Sequence, residues 1–314
     1  MYRSLGVATA VTLILTATPA LASPRDDLAD RVGRAAPRAA HRAAPRVAHR
    51  AAPRVAHRVD NIAHRGGAAH APENTIAACA LARAQRADMC EFDVQQTKDG
   101  RLVLMHDETL ERTTNVEKVF PGRAPWRVAD FTLAEIRRLD AGSWFSPRYR
   151  GEGVPTLTQA LQSVRGTATR LLVEVKHPPY RPDIDRRVAA ELQEARELWS
   201  GERLTVQAFG WQSMRVLRDM VPGLPIALLG KPAADRLTEL AHYADGLTVP
   251  HAGLTAAYVR KAHKRGMRVY TWSADRSPLI RRLVSYGVDG IMTNRPDRLH
   301  EVTGPRPARS ASRR

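Results

Sequence analysis

The sequence predicts an α/β fold, a TIM-type (β/α)8 barrel with an excursion after the second strand. Three features carry that expectation. Between Asn61 and about Asp297, short apolar runs alternate with longer stretches of helical periodicity, the pattern of a parallel sheet covered by helices. The strand-like runs number nine, one more than a closed eight-stranded barrel holds. One of the nine is tied to its predecessor by a turn too short for a parallel crossover.

The candidate strands are Asn61–His64, Met89–Val94, Leu102–Met105, Leu171–Val175, Leu204–Ala208, Ile226–Leu229, Gly246–Val249, Arg268–Trp272 and Gly290–Met292. Helical patterns fall at Thr75–Arg86, Arg186–Leu198, Trp211–Met220, Ala256–Lys264 and Pro278–Ser285, with Asn74 placed to cap the first of them. Only a short segment containing Lys98-Asp99-Gly100 joins Met89–Val94 to Leu102–Met105. Parallel neighbours need a crossover of about a dozen residues or more, whereas Asp-Gly is a hairpin turn. Leu102–Met105 is therefore expected to fold back above the barrel, leaving eight parallel strands and keeping His106 near the mouth. The excursion continues to about Pro155 and carries a short helix near Leu133–Leu139.

Four segments follow along the chain of 314 residues. Residues 1–22 read as a signal peptide: Arg3, an apolar run from Leu5 to Thr18, then Ala20-Leu21-Ala22 as a small-x-small cleavage site. No other stretch is long and apolar enough to cross a bilayer. The expected location is thus extracellular or associated with the cell envelope. Residues 23–59 form a basic linker containing the repeats RAAPRAAH, RAAPRVAH and RAAPRVAH over residues 34–57. With a proline in every repeat and few bulky apolar side chains, this segment cannot offset its ordering entropy and is expected to be disordered. Residues 60–303 are the barrel domain, and 304–314 a second basic tail. Residues 31–59, with eight arginines and no acidic residue, and 304–314, with four, supply 12 of the 17 net positive charges. That charge suits weak electrostatic contact with an anionic cell envelope and carries no specific nucleic-acid signature. The repeat histidines His41, His49 and His57 sit in a flexible chain that preforms no metal site.

Strand alternation places the chemistry. Glu91 and Asp93 share one face, and Cys90, Phe92 and Val94 the other. Unpaired carboxylates buried against helices would cost several kcal/mol, so Glu91 and Asp93 face the barrel interior. Glu174 and Lys176 repeat the arrangement on the next barrel strand. Three oxygen donors at the strand ends suit a hard divalent cation, Ca²⁺ or Mg²⁺. A salt-bridge network with Lys176 and Arg65 fits the same spacing. His64, at the end of the first strand, and His106, on the excursion, are candidates for general acid and base. Together with Arg65 these groups offer charge neutralisation and proton transfer for phosphoryl chemistry. Cys79 and Cys90 lie on adjacent elements, where a disulfide and two buried thiols both fit.

Ten short motifs stand in one order: His64-Arg65-Gly66, Glu73-Asn74-Thr75, Glu91-x-Asp93, Lys98-Asp99-Gly100, His106-Asp107, Arg112-Thr113-Thr114, Leu139-Asp140-Ala141-Gly142-Ser143, Pro155-Thr156-Leu157, Glu174-Val175-Lys176 and Gly287-Val288-Asp289-Gly290. In this the chain resembles the glycerophosphodiester phosphodiesterase family over about residues 61–297. The resemblance implies the barrel and a divalent ion on Glu91, Asp93 and Glu174. It also implies an acid–base pair in His64 and His106, and a phosphate held by Arg65 and Lys176. Two places depart from the family pattern. Ala208-Phe209 stands where Ser-Phe is frequent, and Trp272-Ser273-Ala274-Asp275 where Trp-Thr-Val-Asn is frequent. Phe209 and Trp272 are candidates for a pocket around the alcohol moiety.

The expected function is hydrolysis of a small-molecule glycerophosphodiester to glycerol phosphate and an alcohol, by a secreted metal-dependent enzyme. Two other readings compete. One is a lysolipid or sphingomyelinase D-like phospholipase on the same barrel, and the other is a non-catalytic secreted polyanion-binding protein. The sequence leaves open which histidine is acid and which is base.

Overall fold

The computed structural model describes residues 58–176, 183–201 and 203–304. The expected signal peptide, the repeats with His41, His49 and His57, and the tail from residue 305 lie outside the described residues. Among the described residues no helix is long and apolar enough to cross a membrane.

Nine strands form among the described residues. They are β1 (Asp60–Ala63), β2 (Met89–Gln96), β3 (Leu102–Leu104), β4 (Arg170–Val175), β5 (Leu204–Ala208), β6 (Ile226–Leu229), β7 (Gly246–Pro250), β8 (Arg268–Trp272) and β9 (Gly290–Thr293). Eight of them close a parallel ring in the order β1-β2-β4-β5-β6-β7-β8-β9, with β9 pairing back onto β1. β3 stands outside the ring. It runs antiparallel to the end of β2, with Val94 opposite Leu104 and Gln96 opposite Leu102. The turn between them closes with the Thr97 amide on the Arg101 carbonyl at 2.9 Å and Gly100 at φ 75°. The Met105 amide then donates to the Asp93 carbonyl at 2.9 Å, which carries the chain, with His106 next, back over the open end of β2.

Alternation sorts the side chains of the ring. Cys90, Phe92 and Val94 of β2 pack outward with Leu171, Val173 and Val175 of β4 in the layer under the helices. The inward set is smaller: Ile62, Met89, Leu172, Tyr270 and Met292 fill the barrel's middle. The excursion has a core of its own, built from Val103, Met105, Leu110, Val116, Phe131 and Ile136 among others. This separate core gives His106 a rigid platform, although it lies on no strand of the ring.

Several boundaries differ from the sequence expectation. β1 ends at Ala63, because His64–Gly66 turns into a short 3-10 helix with Arg65 at φ 52°. The helix expected over Thr75–Arg86 spans Ile76–Ala84, and its cap is Thr75, whose hydroxyl accepts from the Ala78 amide. Asn74 is therefore no cap; its side chain is used elsewhere. The helix expected over Arg186–Leu198 is Ile184–Glu194 followed by a 3-10 turn, Arg196–Leu198. In the excursion a capping box of Thr132 and Glu135 starts a single helical turn, Leu133–Ile136. Gly66, at φ 82°, lets the loop after β1 pass close to the first helix: a Cβ there would lie 2.8 Å from that of Ala78.

Cys79 and Cys90 are joined by a disulfide with Cα atoms 5.7 Å apart, which ties the first helix to the outer face of β2. A bridge closing so short a loop stabilises by about 2–3 kcal/mol in the chain-entropy account. Replacing both cysteines by alanine is expected to lower the unfolding free energy by about that amount in urea titration. An unchanged midpoint would show that the bridge contributes nothing.

Candidate active site

The loops beyond the C-terminal ends of the strands surround a carboxylate cluster. Glu91 and Asp93 of β2 and Glu174 of β4 each place an oxygen within 4.8 Å of the others, and all three are buried. Asp93 and Glu174 are register partners across the two strands. Each carboxylate is held by named donors. The Arg65 amide donates to Glu91 Oε2 at 2.8 Å. Asn74 Nδ2 donates to Asp93 Oδ2 at 2.9 Å, while the Asp93 amide donates to Asn74 Oδ1 at 3.0 Å. Lys176 Nζ lies 2.9 Å from Asp93 Oδ1 and also bonds Glu174 Oε1. Arg65 Nε stands 3.7 Å from Asp93 Oδ2.

The sequence allowed a cation site or a salt-bridge network, and the salt bridges are present. They do not balance the cluster. Burial, reinforced by the Asp93 and Glu174 charges, pushes the Glu91 carboxyl well up. Burial and then the Asp93 charge push Glu174 up to about 7. Burial also opposes ionisation of Asp93, but Lys176, His106 and Arg65 together hold it down. Two protonation-prone carboxylates beside a third that stays ionised are the donor set a hard divalent cation relieves, so the residues fit Ca²⁺ or Mg²⁺.

The two histidines flank this cluster with unlike partners. His64 Nδ1 lies 2.7 Å from Asn294 Oδ1. Asn294 is itself oriented by Asp275, which accepts from its Nδ2 and its amide at 2.8 Å each. Burial, and then the Arg65 charge, hold the His64 imidazole below the ordinary histidine value. His106 Nδ1 lies 2.7 Å from Asp107 Oδ1. Although burial works against it, hydrogen bonds from Arg112 and His106 hold the Asp107 carboxyl down at about 2. Arg112 donates from Nε to Asp107 at 2.6 Å and from Nη1 and Nη2 to Glu73 at 2.9 and 2.7 Å. Glu73 in turn accepts from Arg65 Nη1 at 2.9 Å.

Phe209 follows β5 and Trp272 ends β8, so both stand on the same rim. Their rings meet edge to face, with centroids 6.3 Å apart, and Phe209 is 60% exposed.

The structure thus gathers His64, Arg65, Glu91, Asp93, His106, Glu174 and Lys176, and pairs Phe209 with Trp272. Sequence reasoning gave no role to Glu73, Asp107, Arg112, Asp275 or Asn294, and misassigned Asn74. Glu73, Asn74, Asp107 and Arg112 stood inside quoted motifs, which was the available signal. Asp275 showed only as a departure from a pattern, and Asn294 gave none.

A (β/α)8 barrel with two imidazoles, an arginine and a lysine around a buried carboxylate cluster fits a phosphoric diester hydrolase. The chain belongs to the glycerophosphoryl diester phosphodiesterase family, whose model matches residues 64–298. It is 34% identical over 258 residues to a glycerophosphodiester phosphodiesterase of Bacillus subtilis, covering 77% of this chain and 85% of that one. It is also 34% identical to one from Caldanaerobacter subterraneus, covering 76% and 95%. The crystal structure of an Oleispira antarctica phosphodiesterase in complex with the product sn-glycerol-3-phosphate superposes with a TM-score of 0.68 at 26% identity, covering 77% of this chain and 95% of that one.

The raised carboxyls predict a pH-dependent stability. A carboxyl with a folded value near 7 against an ordinary 4.5 holds its proton more tightly when folded. Its favourable contribution is complete below about pH 4.5 and is lost as pH rises through about 7. The melting temperature of EDTA-treated protein is therefore expected to fall across that window. Added Mg²⁺ or Ca²⁺ is expected to raise it more at pH 8 than at pH 5. Equal ion-induced shifts at both pH values would argue against these carboxylates as the ligands.

Proposed function

We propose that this protein is an exported, divalent-metal-dependent phosphodiesterase that hydrolyses glycerophosphodiesters to glycerol phosphate and an alcohol. The observation that carries the reading is the unlike wiring of the two histidines on either side of one carboxylate cluster.

Glu91, Asp93 and Glu174 would hold the ion, which supplies positive charge against the phosphoryl oxygens. Arg65 and Lys176 add cationic charge at the same end of the barrel. Asn294 presents an acceptor, because Asp275 engages its amide nitrogen, so His64 Nδ1 carries the proton and Nε2 keeps its lone pair. With its pKa held low, His64 is unprotonated at neutral pH and suits the base that takes the proton of the attacking oxygen. His106 has a carboxylate, Asp107, at its Nδ1 in place of an amide oxygen, an arrangement that suits the acid that gives a proton to the leaving oxygen. The edge-to-face pair Phe209–Trp272 offers an apolar wall to the carbons of glycerol or of the alcohol.

Export is supported by the N-terminal apolar segment and by the Cys79–Cys90 disulfide, a bond that persists in oxidising compartments. The arginines of the flanks would add weak, salt-sensitive attraction to anionic envelope polymers.

The deciding assay is release of glycerol 3-phosphate from glycerophosphocholine by residues 23–314, with Ca²⁺, with Mg²⁺ and with EDTA. Release is expected to require the ion, to exceed any release from lysolipid, and to fall by about 100-fold or more in His64→Ala. Turnover of lysolipid alone would favour the phospholipase reading. Absence of turnover with either ion would retire the small-diester assignment.

The acid assignment makes its own prediction. A p-nitrophenyl phosphodiester needs no proton on its leaving group, so the loss caused by His106→Ala should largely disappear with that substrate, while the loss from His64→Ala persists. The reverse pattern would exchange the two roles.

A further inference from the structure

The loop after β1 carries His64 and Arg65, and the excursion after β2 carries His106. No strand pairing joins the two segments, but side chains do: Arg148 Nη2 and the Tyr149 hydroxyl donate to the His70 carbonyl at 3.0 and 3.1 Å, and Arg112 links the parts that carry the chemistry. Arg112 spends all three guanidinium nitrogens on them: Nη1 and Nη2 hold both oxygens of Glu73, and Nε holds Asp107 Oδ2. Glu73 passes the contact to Arg65, and Asp107 passes it to His106. The bidentate pairing with Glu73 is the strong geometry for an arginine. Its hydrogen bonds to Glu73 and then to Asp107 raise the guanidinium pKa above its already high ordinary value, so the charge is permanent.

We infer that Arg112 is a positioning residue that fixes the His106 imidazole through Asp107 and sets it in register with Arg65 through Glu73. Asp107 would otherwise be a partly exposed carboxylate free to change rotamer, with a side chain 29% exposed. Held on its far oxygen by Nε, it presents the near oxygen to His106 Nδ1. This holds the ring in one orientation, with Nδ1 on the carboxylate. A lysine cannot replace this, because one ammonium lacks the fork that reaches two carboxylates at once.

The inference rests on the proposed acid–base role of His106 and can fail separately from it. Full-length wild type, Arg112→Met, Arg112→Lys, Asp107→Asn and the Arg112→Met/Asp107→Asn double variant would be compared on glycerophosphocholine at saturating ion. Arg112→Met is expected to lower kcat by about 100-fold, the scale of a misplaced catalytic group, with KM little changed. The double variant should lose far less than the product of the two single losses, because Arg112 acts on His106 through Asp107. Arg112→Lys, which keeps the charge, should recover only part of the loss and covers the case in which the methionine variant does not fold. Losses that multiply in the double variant, or a lysine variant with full kcat, would overturn the inference. A second readout needs no turnover: 15N-labelled histidine should show the His106 ring in one environment in the wild type and in several, or exchange-broadened, in the Arg112 variants. A signal unchanged by both Arg112 substitutions would also overturn it. Wild-type protein without turnover would defeat the proposed function and still leave this measurement to decide the role of Arg112.

Discussion

Asp93 is the point on which the rest of the site depends. Its carboxylate is 1% exposed on the inner face of a closed barrel, where an unpaired charge would cost several kcal/mol. Three groups from two parts of the chain converge to offset that cost. Asn74 bonds it from the loop after β1, Lys176 from the end of β4, and Arg65 approaches within 3.7 Å. The path of the loop from His64 to Thr75 follows from this demand. Arg65 and Asn74 both adopt left-handed backbone conformations, at φ 52° and 58°. Each is disfavoured for a residue with a Cβ, and each is held by hydrogen bonds into the carboxylate cluster. The strained loop and the buried charge therefore stabilise each other, and removing either leaves the other uncompensated.

The same economy separates the two imidazoles. An amide oxygen behind His64 fixes a tautomer, and burial and then the Arg65 charge outweigh its pull toward the charged ring. Behind His106 stands a carboxylate, on the same ring nitrogen. Two rings of one chemistry thus face one cluster with unlike partners, an asparagine and an aspartate in the next layer. The barrel supplies the first and the excursion the second, which is why the excursion needs a hydrophobic core of its own.

The strands, the hairpin and the inward direction of Glu91, Asp93 and Glu174 were legible because they rest on local rules: alternation, crossover length, and the cost of a buried carboxylate against helices. The residues that orient the site were not. Asn74 bonds Asp93 across 19 positions, Arg112 reaches Glu73 across 39, and Asn294 meets His64 across 230. At such separations no periodicity links the partners. Asn74 shows how local reasoning goes astray. An asparagine before a helix is an ordinary cap, but Thr75 takes that role, and a left-handed Asn74 turns its amide to the deeper and costlier need.

Asp275 departs from the family pattern of an asparagine after the Trp-containing strand, and its surroundings give a physical reason. Its carboxylate receives the Asn294 amide and the Thr293 hydroxyl on one oxygen, and Asn294 Nδ2 on the other. All three groups can donate, and an aspartate is an acceptor on both oxygens. An asparagine here would turn its own amide hydrogens toward one of these donors, which would allow the Asn294 side chain to flip and present its nitrogen to His64. The proton would then leave Nδ1, and the imidazole would lose the lone pair it directs into the site. Aspartate at this position holds the amide of Asn294 in one orientation, and through it the tautomer of His64.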